Sequence, residues 1–578
     1  MKENNNKALK NSEEEKIIST LFDERDNYQQ SNTEQRDTVN QIYSAYVGKV
    51  IETTPKDQSK SQENTQKLRT EIAYIVPSIF SGNPELEVEG VGPEDKEIAK
   101  IYEKIVNYRL NTIPQAYEKI EAWVKQSAGV GTSIMQICWK FITKQNEDGT
   151  ETPTVDEPYF EVPNMLDCFY NPIIPDIEGQ KSMIFRSILG TYDVRNNEMY
   201  DYTDITGKLN REKLVEPATR EINDYDSSKQ LATDGIESER TADGTIEVFE
   251  RITPEKYQTV AVSGEGKLVL REKPNNYRSI KAVKLTHEPN MIPNRFDGFG
   301  VGQNCIALDK LYNKMMNRMV DSVALTNNPF FLFRKGVNIN KKQFVVRPGG
   351  GVEVDTDGPL QEAIQAIQFP DIKQGAISLL DNIDDQHKRA SGANDLIQGS
   401  ASNDTLGQDE IASTYSSNRF ELINRRFKQA LADVGRCLIE MELENLQSPD
   451  AEILRIFPEE LRPQIYEVLI SQKENVRWDI KVKGNTTIAK NKDVQIRQAI
   501  EMFDLFGPVL PIKNQMAWAR KLLELRGIDD IDKLVPTEEE MQQQLQGPME
   551  GAEGGTHMMP GGTMMADNQM PQGVPQQY

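Results

Sequence analysis

Residues 291–333 read MIPNRFDGFGVGQNCIALDKLYNKMMNRMVDSVALTNNPFFLF, and the way this stretch folds decides the architecture of the chain. Apolar residues recur at Leu308, Leu311, Tyr312, Met315, Met319, Val320 and Val323. That spacing predicts a helix from about Gln303 to Thr326, roughly 35 Å long at 1.5 Å per residue. The glycines just before it, in GFGVG (298–302), lack the third-glycine spacing and the strand–turn–helix setting of a nucleotide site. They read as a turn that opens a helix.

Downstream the texture changes three times. Residues 329–371 hold short apolar runs, FFLF and QFVV, and the turn Gly349-Gly350-Gly351, which suit a small β-rich insert. A second helix is expected over about 372–390, then a loop rich in Gly, Ser, Asn and Asp over 391–408. The longest helix of the chain follows, from Asp409 to Gln447, near 58 Å by the same rise. Its stripe is Phe420, Ile423, Phe427, Leu431, Val434, Leu438 and Met441, and Gly435 offers a place to bend.

Upstream, residues 1–60 are polar and acidic with an amphipathic pattern starting at Ile17, Ile18, Leu21 and Phe22. A helix is expected over 62–80, a short strand at 85–89, and two helices near 94–110 and 114–128. Strands from Ser133 to Ile142 and around Tyr159–Val162 lead into a β-rich stretch that runs to about 300. Segment 200–243 is a polar, acidic excursion within it. Together 61–300 forms an α+β unit. After the long helix, VRWDIKVKG (476–484) reads as a strand, 487–546 as short helices, and 547–578 as a Gly/Met/Gln/Pro-rich tail without a core.

Composition excludes several functions. With 67 basic and 90 acidic residues the formal charge is −23, the wrong sign for a protein that grips duplex DNA along its phosphates. Cys138, Cys168, Cys305 and Cys437 are far apart with no CxxC pair, and suit small buried side chains in a reducing compartment. His287, His387 and His557 are scattered, so neither a zinc motif nor any other metal site is expected. Glu353, Asp355, Asp357 and Gly358 imitate half a calcium loop, but the position of the closing Glu is Ile364. No P-loop is present, and neither a catalytic residue nor a cofactor is expected. No apolar run reaches 18 residues and the N-terminus has no hydrophobic leader, so the expectation is a cytosolic product with no membrane span.

Charge is uneven along the chain. Between 301 and 347 lie Lys310, Lys314, Arg318, Arg334, Lys335, Lys341, Lys342 and Arg347, opposed only by Asp309 and Asp321. The loop 391–408 is the reverse: Asp395 and Asp404 stand among Gly392, Asn394, Gly399 and Gly407 with no cation. The basic stretch suits either DNA passing nearby or acidic protein neighbours.

Helix, β-rich insert, helix, polar loop and long helix, in that order, resemble the portal proteins of tailed bacteriophages. The turn R-x-x-G-x-G at 295–300, the Asn- and Met-rich helix after it, VRPGGGVEV (346–354), and the glycine-containing loop after 391 are similar to the family's stem, clip and tunnel loop. AGVGTSIMQICWK (128–140) and PNMLDCFYNP (163–172) resemble the wing of portals from short-tailed enterobacterial phages. The resemblance implies an α+β portal fold with an N-terminal acidic helical segment (1–60), a wing (61–300), a stem helix (301–328), a clip (329–371) and a second stem helix (372–390). A tunnel loop (391–408), a long wing helix and strand (409–486), a helical crown (487–546) and the tail (547–578) complete it. It further implies a virion component, made in the host cytoplasm, that forms a ring of about twelve copies at one capsid vertex. Its partners would be the terminase large subunit, adaptor and tail proteins, the major capsid and scaffolding proteins, and the double-stranded DNA threading the channel.

Overall fold

The computed structural model describes residues 2–48, 61–80, 82–145, 151–190, 245–263, 266–327, 330–333, 364–367, 374–392, 406–471, 478–482, 557–558 and 564–565, except 62, 63, 81, 83, 94 and 450, with isolated positions elsewhere. The chain divides into one unit from Met1 to Ala489 and a second from Lys490 to Tyr578. In the second, the described strands are β13 (His557–Met558) and β14 (Met564–Met565), paired antiparallel. The acidic excursion 200–243, the calcium-like run 353–358 and the short helices expected over 487–546 lie outside the described residues, apart from single positions.

The first unit is α+β. The amphipathic N-terminus forms α1 (Lys2–Ser31) and α2 (Thr33–Val47), which meet at Asn32. The Asn32 side chain donates to the Tyr170 carbonyl at 3.2 Å, anchoring the joint. There follow α3 (Lys67–Ile79), β1 (Leu86–Gly90), α4 (Lys96–Thr112), α5 (Ala116–Val130), β2 (Thr132–Gln145) and β3 (Glu151–Glu161). The return strand thus starts well before Tyr159. β2 is the middle of an antiparallel sheet, flanked by β3 (Ile137↔Phe160) and by β9 (Ala282–Thr286; Ser133↔Leu285). A second antiparallel sheet runs in chain order through β4 (Cys168–Phe169), β5 (Met183–Gly190), β6 (Thr245–Ile252), β7 (Lys256–Ser263) and β8 (Gly266–Pro274). Helix α1 lays Leu21 and Phe22 on this sheet, with Phe22 edge-on to Phe249 at 5.3 Å between ring centres.

The main core draws on distant parts of the chain. The later elements are α6 (Val301–Asn327), β10 (Phe330–Phe333), β11 (Ile364–Ile367), α7 (Gln374–Ser391), α8 (Leu406–Asn445), α9 (Arg462–Ser471) and β12 (Trp478–Val482). Helix α8 returns through the centre, burying Phe427, Leu431, Val434 and Leu438 against α3, α4 and α5. Phe427 meets Phe80 at 5.7 Å and Trp123 at 6.4 Å between ring centres. Trp123 is fully buried and donates its indole N–H to the Ser133 carbonyl at 3.3 Å, so the one polar atom of the largest side chain is satisfied. β12 comes back to pair with β1, Leu86 opposite Val482. Helix α8 runs unbroken through Gly435. That glycine serves close packing, since a Cβ there would lie 2.5 Å from Leu86 Cδ1.

One buried charge pair ties the early and late halves. Arg109 on α4 donates to Glu442 on α8 at 2.5 Å, and both are almost completely buried. Burial pushes the Glu442 carboxyl up to about 7, with Arg109 acting in the opposite direction. Such a pair adds little over an apolar contact, but removing one partner is costly.

Candidate functional site: a helical hairpin that leaves the core

The glycine-rich turn sets the root of α6. Gly131, at φ +97°, ends α5 beside Gly298 and Gly300, and a Cβ at Gly300 would lie 2.5 Å from the Gly131 nitrogen. Two backbones can touch at this distance only without side chains. Cross-links hold the contact: Gly298 N–H donates to Thr132 Oγ1 at 2.8 Å, and the Gln303 side chain accepts from Gly300 N–H at 2.7 Å while donating to the Val130 carbonyl. The turn therefore fixes the direction in which α6 leaves the body.

Helix α6 then changes environment along its length. Val301, Gly302, Cys305 and Asp309 are buried, whereas none of the described side chains from Lys310 to Thr326 is. Helix α7 shows the mirror pattern, with an exposed or half-buried first half and Ile383, His387 and Ser391 buried near its end. The N-terminal part of α6 packs on the C-terminal part of α7, so the two run antiparallel. Strands β10 and β11 pair antiparallel in the segment that joins them, Phe330 opposite Ile367.

The outer half of the hairpin is not polar throughout. Leu311, Val320 and Val323 on α6 and Ile377 and Leu379 on α7 are 37–47% exposed. Lys310, Lys314 and Arg318, at spacing four, are all exposed on one stripe of α6. Lys310 donates to Gln41 at 2.9 Å. Of the two acids in this part of the sequence, Asp309 is buried, and Asp321, three residues after Arg318, accepts from the Ser61 backbone at 2.9 Å. On α7, Asp381 and Asp385 are exposed. Of the other basic positions singled out from the sequence, Arg334, Lys335, Lys341, Lys342 and Arg347 lie outside the described residues.

Gly392 closes α7 at φ +83°, its N–H donating to the Lys388 carbonyl at 3.0 Å. This left-handed end is the geometry that favours glycine after a helix. Asn394, Asp395, Gly399 and Asp404 lie outside the described residues. The assignment of Gly407 to the loop is corrected: α8 begins at Leu406, three residues before the expected start, so Gly407 sits in its first turn. Helical hydrogen bonding there begins ahead of Asp409, well before Phe420, the first residue of the apolar stripe.

The hairpin root also gathers side chains that sequence reasoning kept apart. His387 on α7 is fully buried, its Nδ1 2.6 Å from Glu71 Oε1 on α3 and its Nε2 4.0 Å from Asp309 Oδ1 on α6. The ligand atoms of Glu71, Cys305 and His387 lie within 4.8 Å of one another. Burial raises the Asp309 carboxyl above its ordinary value, with His387 opposing the shift. Lys67, at the edge, pairs with Asp384 and lies 3.6 Å from the Tyr312 ring centre. The available signal was register: His387 falls four residues after Ile383, and Asp309 four after Cys305, on the buried side of each helix.

The hairpin thus buries its root and leaves apolar side chains partly exposed further out. The chain belongs to the phage SU10 portal protein family, which it matches over residues 15–159 and 253–555. It is thus a bacteriophage portal protein, a head–tail connector component of the virion. No curated protein matches it in a whole-sequence comparison. The interval between the two matched ranges contains the acidic excursion 200–243. Among the described residues no helix is long and apolar enough to cross a membrane.

Proposed function

We propose that this portal protein closes into a ring of about twelve copies at one capsid vertex, with the α6–α7 hairpins side by side around the channel. The observation that carries this is the exposed apolar set Leu311, Val320, Val323, Ile377 and Leu379 on helices whose other ends are firmly rooted. Apolar side chains left at a surface mark an interface. The basic stripe belongs to the same contact. Leu311 stands beside Lys310, Lys314 and Arg318, and an apolar group there suits a protein neighbour better than phosphate. Asp381 and Asp385 on the next subunit's α7 are the fitting acids.

Double-stranded DNA passes through the ring during packaging and ejection. The net charge of −23 keeps the conduit from holding it. The loop with Asp395 and Asp404 forms the narrow part of the channel and lets the duplex slide, while the chain performs no catalysis and takes no cofactor. The terminase large subunit supplies the packaging motor and docks outside, adaptor and tail proteins replace it, and capsid and scaffolding proteins surround the vertex. Before assembly the chain resides in the host cytoplasm. Reconstituted packaging tests the reading: Asp395→Lys with Asp404→Lys should leave rings intact but slow packaging, most at low salt where screening is weakest. Packaging at the normal rate at every salt concentration would place the loop away from DNA.

A further inference from the structure

We propose that the root of the hairpin carries a proton-operated latch, in which one proton taken up by the His387–Asp309 pair draws α7 onto α6. The groups at this point come from three helices: Glu71 on α3, Asp309 on α6 and His387 on α7, each at most 5% exposed. On one side the joint is made, with His387 Nδ1 2.6 Å from Glu71 Oε1. On the other it is open. His387 Nε2 stands 4.0 Å from Asp309 Oδ1, and both atoms are buried without a hydrogen-bond partner. Leaving two such atoms unmatched beside each other is costly.

What the gap lacks is one proton. A neutral imidazole has a single N–H, so between two ionised carboxylates it bonds one and turns a lone pair on the other, whichever nitrogen holds the hydrogen. An added proton removes that repulsion. It does so whether it sits on the imidazole, which then donates from both nitrogens, or on the Asp309 carboxyl, which then donates to the ring. Either arrangement closes the pair to about 2.8 Å, a movement of about 1 Å where the hairpin leaves the body. The surrounding charges favour uptake. Glu71, Asp309 and Asp384 stand against Lys67 and Lys388, an excess of one negative charge, and both cations are drawn to Asp384, Lys388 at 3.4 Å. Burial raises the Asp309 carboxyl and His387 opposes the rise, so the two groups titrate as a pair. Cys305, the remaining titratable side chain of the cluster, directs its thiol to the His387 carbonyl at 4.0 Å. The inference depends on the packing of α3, α6 and α7 and not on ring formation.

The test is amide hydrogen exchange of the full-length protein from about pH 8 to about pH 5, the range in which imidazole-linked groups titrate. Each rate is corrected for chemical exchange at that pH. Amides of residues 301–309 and 383–391 should exchange roughly tenfold more slowly at the acid end, as expected for one charge-assisted hydrogen bond gained. Asp309→Asn supplies the missing donor without a proton, so it should show the slow rate at every pH. His387→Gln should lose the pH response, whereas His287→Gln should keep it. Wild-type rates in these two segments that do not change with pH would overturn the proposal. So would a response that persists in Asp309→Asn or His387→Gln, since the proton would then be bound elsewhere. The wild-type reading stands even where a variant fails to fold.

Discussion

Two parts of one helix pair behave as if they belonged to different proteins. The rooted ends of α6 and α7 place Val301, Cys305, Asp309, Ile383 and His387 in the interior, and two glycine turns lock the direction of exit. The far ends carry Leu311, Val320, Val323, Ile377 and Leu379 into solvent. On the proposed reading the difference separates residues that fold the chain from residues that assemble it, and each class should fail in its own way.

The folding class should show the largest losses. Phe427, fully buried where α8 crosses the aromatic cluster, should cost about 3–5 kcal/mol as Phe427→Ala, read by denaturant unfolding. Arg109→Leu should cost a similar or slightly smaller amount, about 3–5 kcal/mol in alkaline solution, where Glu442 is charged and buried without its partner. That deficit has a defined pH dependence. With Arg109 holding it down the folded carboxyl stands at about 7, so removing Arg109 raises it further and the deficit opens as pH rises above about 7. The deficit should shrink in acid, and a pH-independent loss would show that packing, not charge, is the cause.

Smaller effects are expected where α1 lies on the five-stranded sheet. Glu24 accepts from Arg251 at 2.8 Å and from Ser182 at 2.7 Å. Burial raises its carboxyl, but these contacts outweigh burial and leave it below the ordinary value. Its contribution is complete above about 4.5 and is lost as pH falls through the folded value, since the unfolded chain then binds the proton more tightly. Glu24→Gln should cost about 2 kcal/mol at neutral pH and progressively less in acid. At the far end of the scale, Lys310→Gln, Lys314→Gln and Arg318→Gln together should change unfolding by less than about 0.5 kcal/mol. They should nevertheless alter the salt dependence of assembly. A marked loss of stability would move this stripe into the folding class.

Much of this division was legible in the residues. The apolar spacing of α6 and α8 gave both helices within a few positions of their ends, and the order of helix, insert, helix, loop and helix carried the resemblance to portals. The partners across the chain were not legible. Nothing local in ELEVE or WDIKV says that Leu86 will face Val482, or that Glu71 and His387 will meet, because strand pairing and helix crossing depend on the whole packed body. Gly435 shows the same limit, looking like a place to bend when it is a place of close approach. The stripe of Lys310, Lys314 and Arg318 was visible in the spacing, but the burial of Asp309 was not, and that burial leaves the stripe without its nearest acid.

The division is tested most directly by the mass of the assembled protein, measured with and without charges placed on the exposed apolar set. Wild-type protein should sediment as one closed species near twelve times the 65.6 kDa chain, about the ring expected from cyclic symmetry. Leu311→Asp, Val320→Asp and Val323→Asp combined should reduce it to the single chain, which stays folded with the helix content of wild type by circular dichroism. A wild-type protein that remains a 65.6 kDa monomer across salt concentrations would contradict the account, as would a triple variant that assembles unchanged.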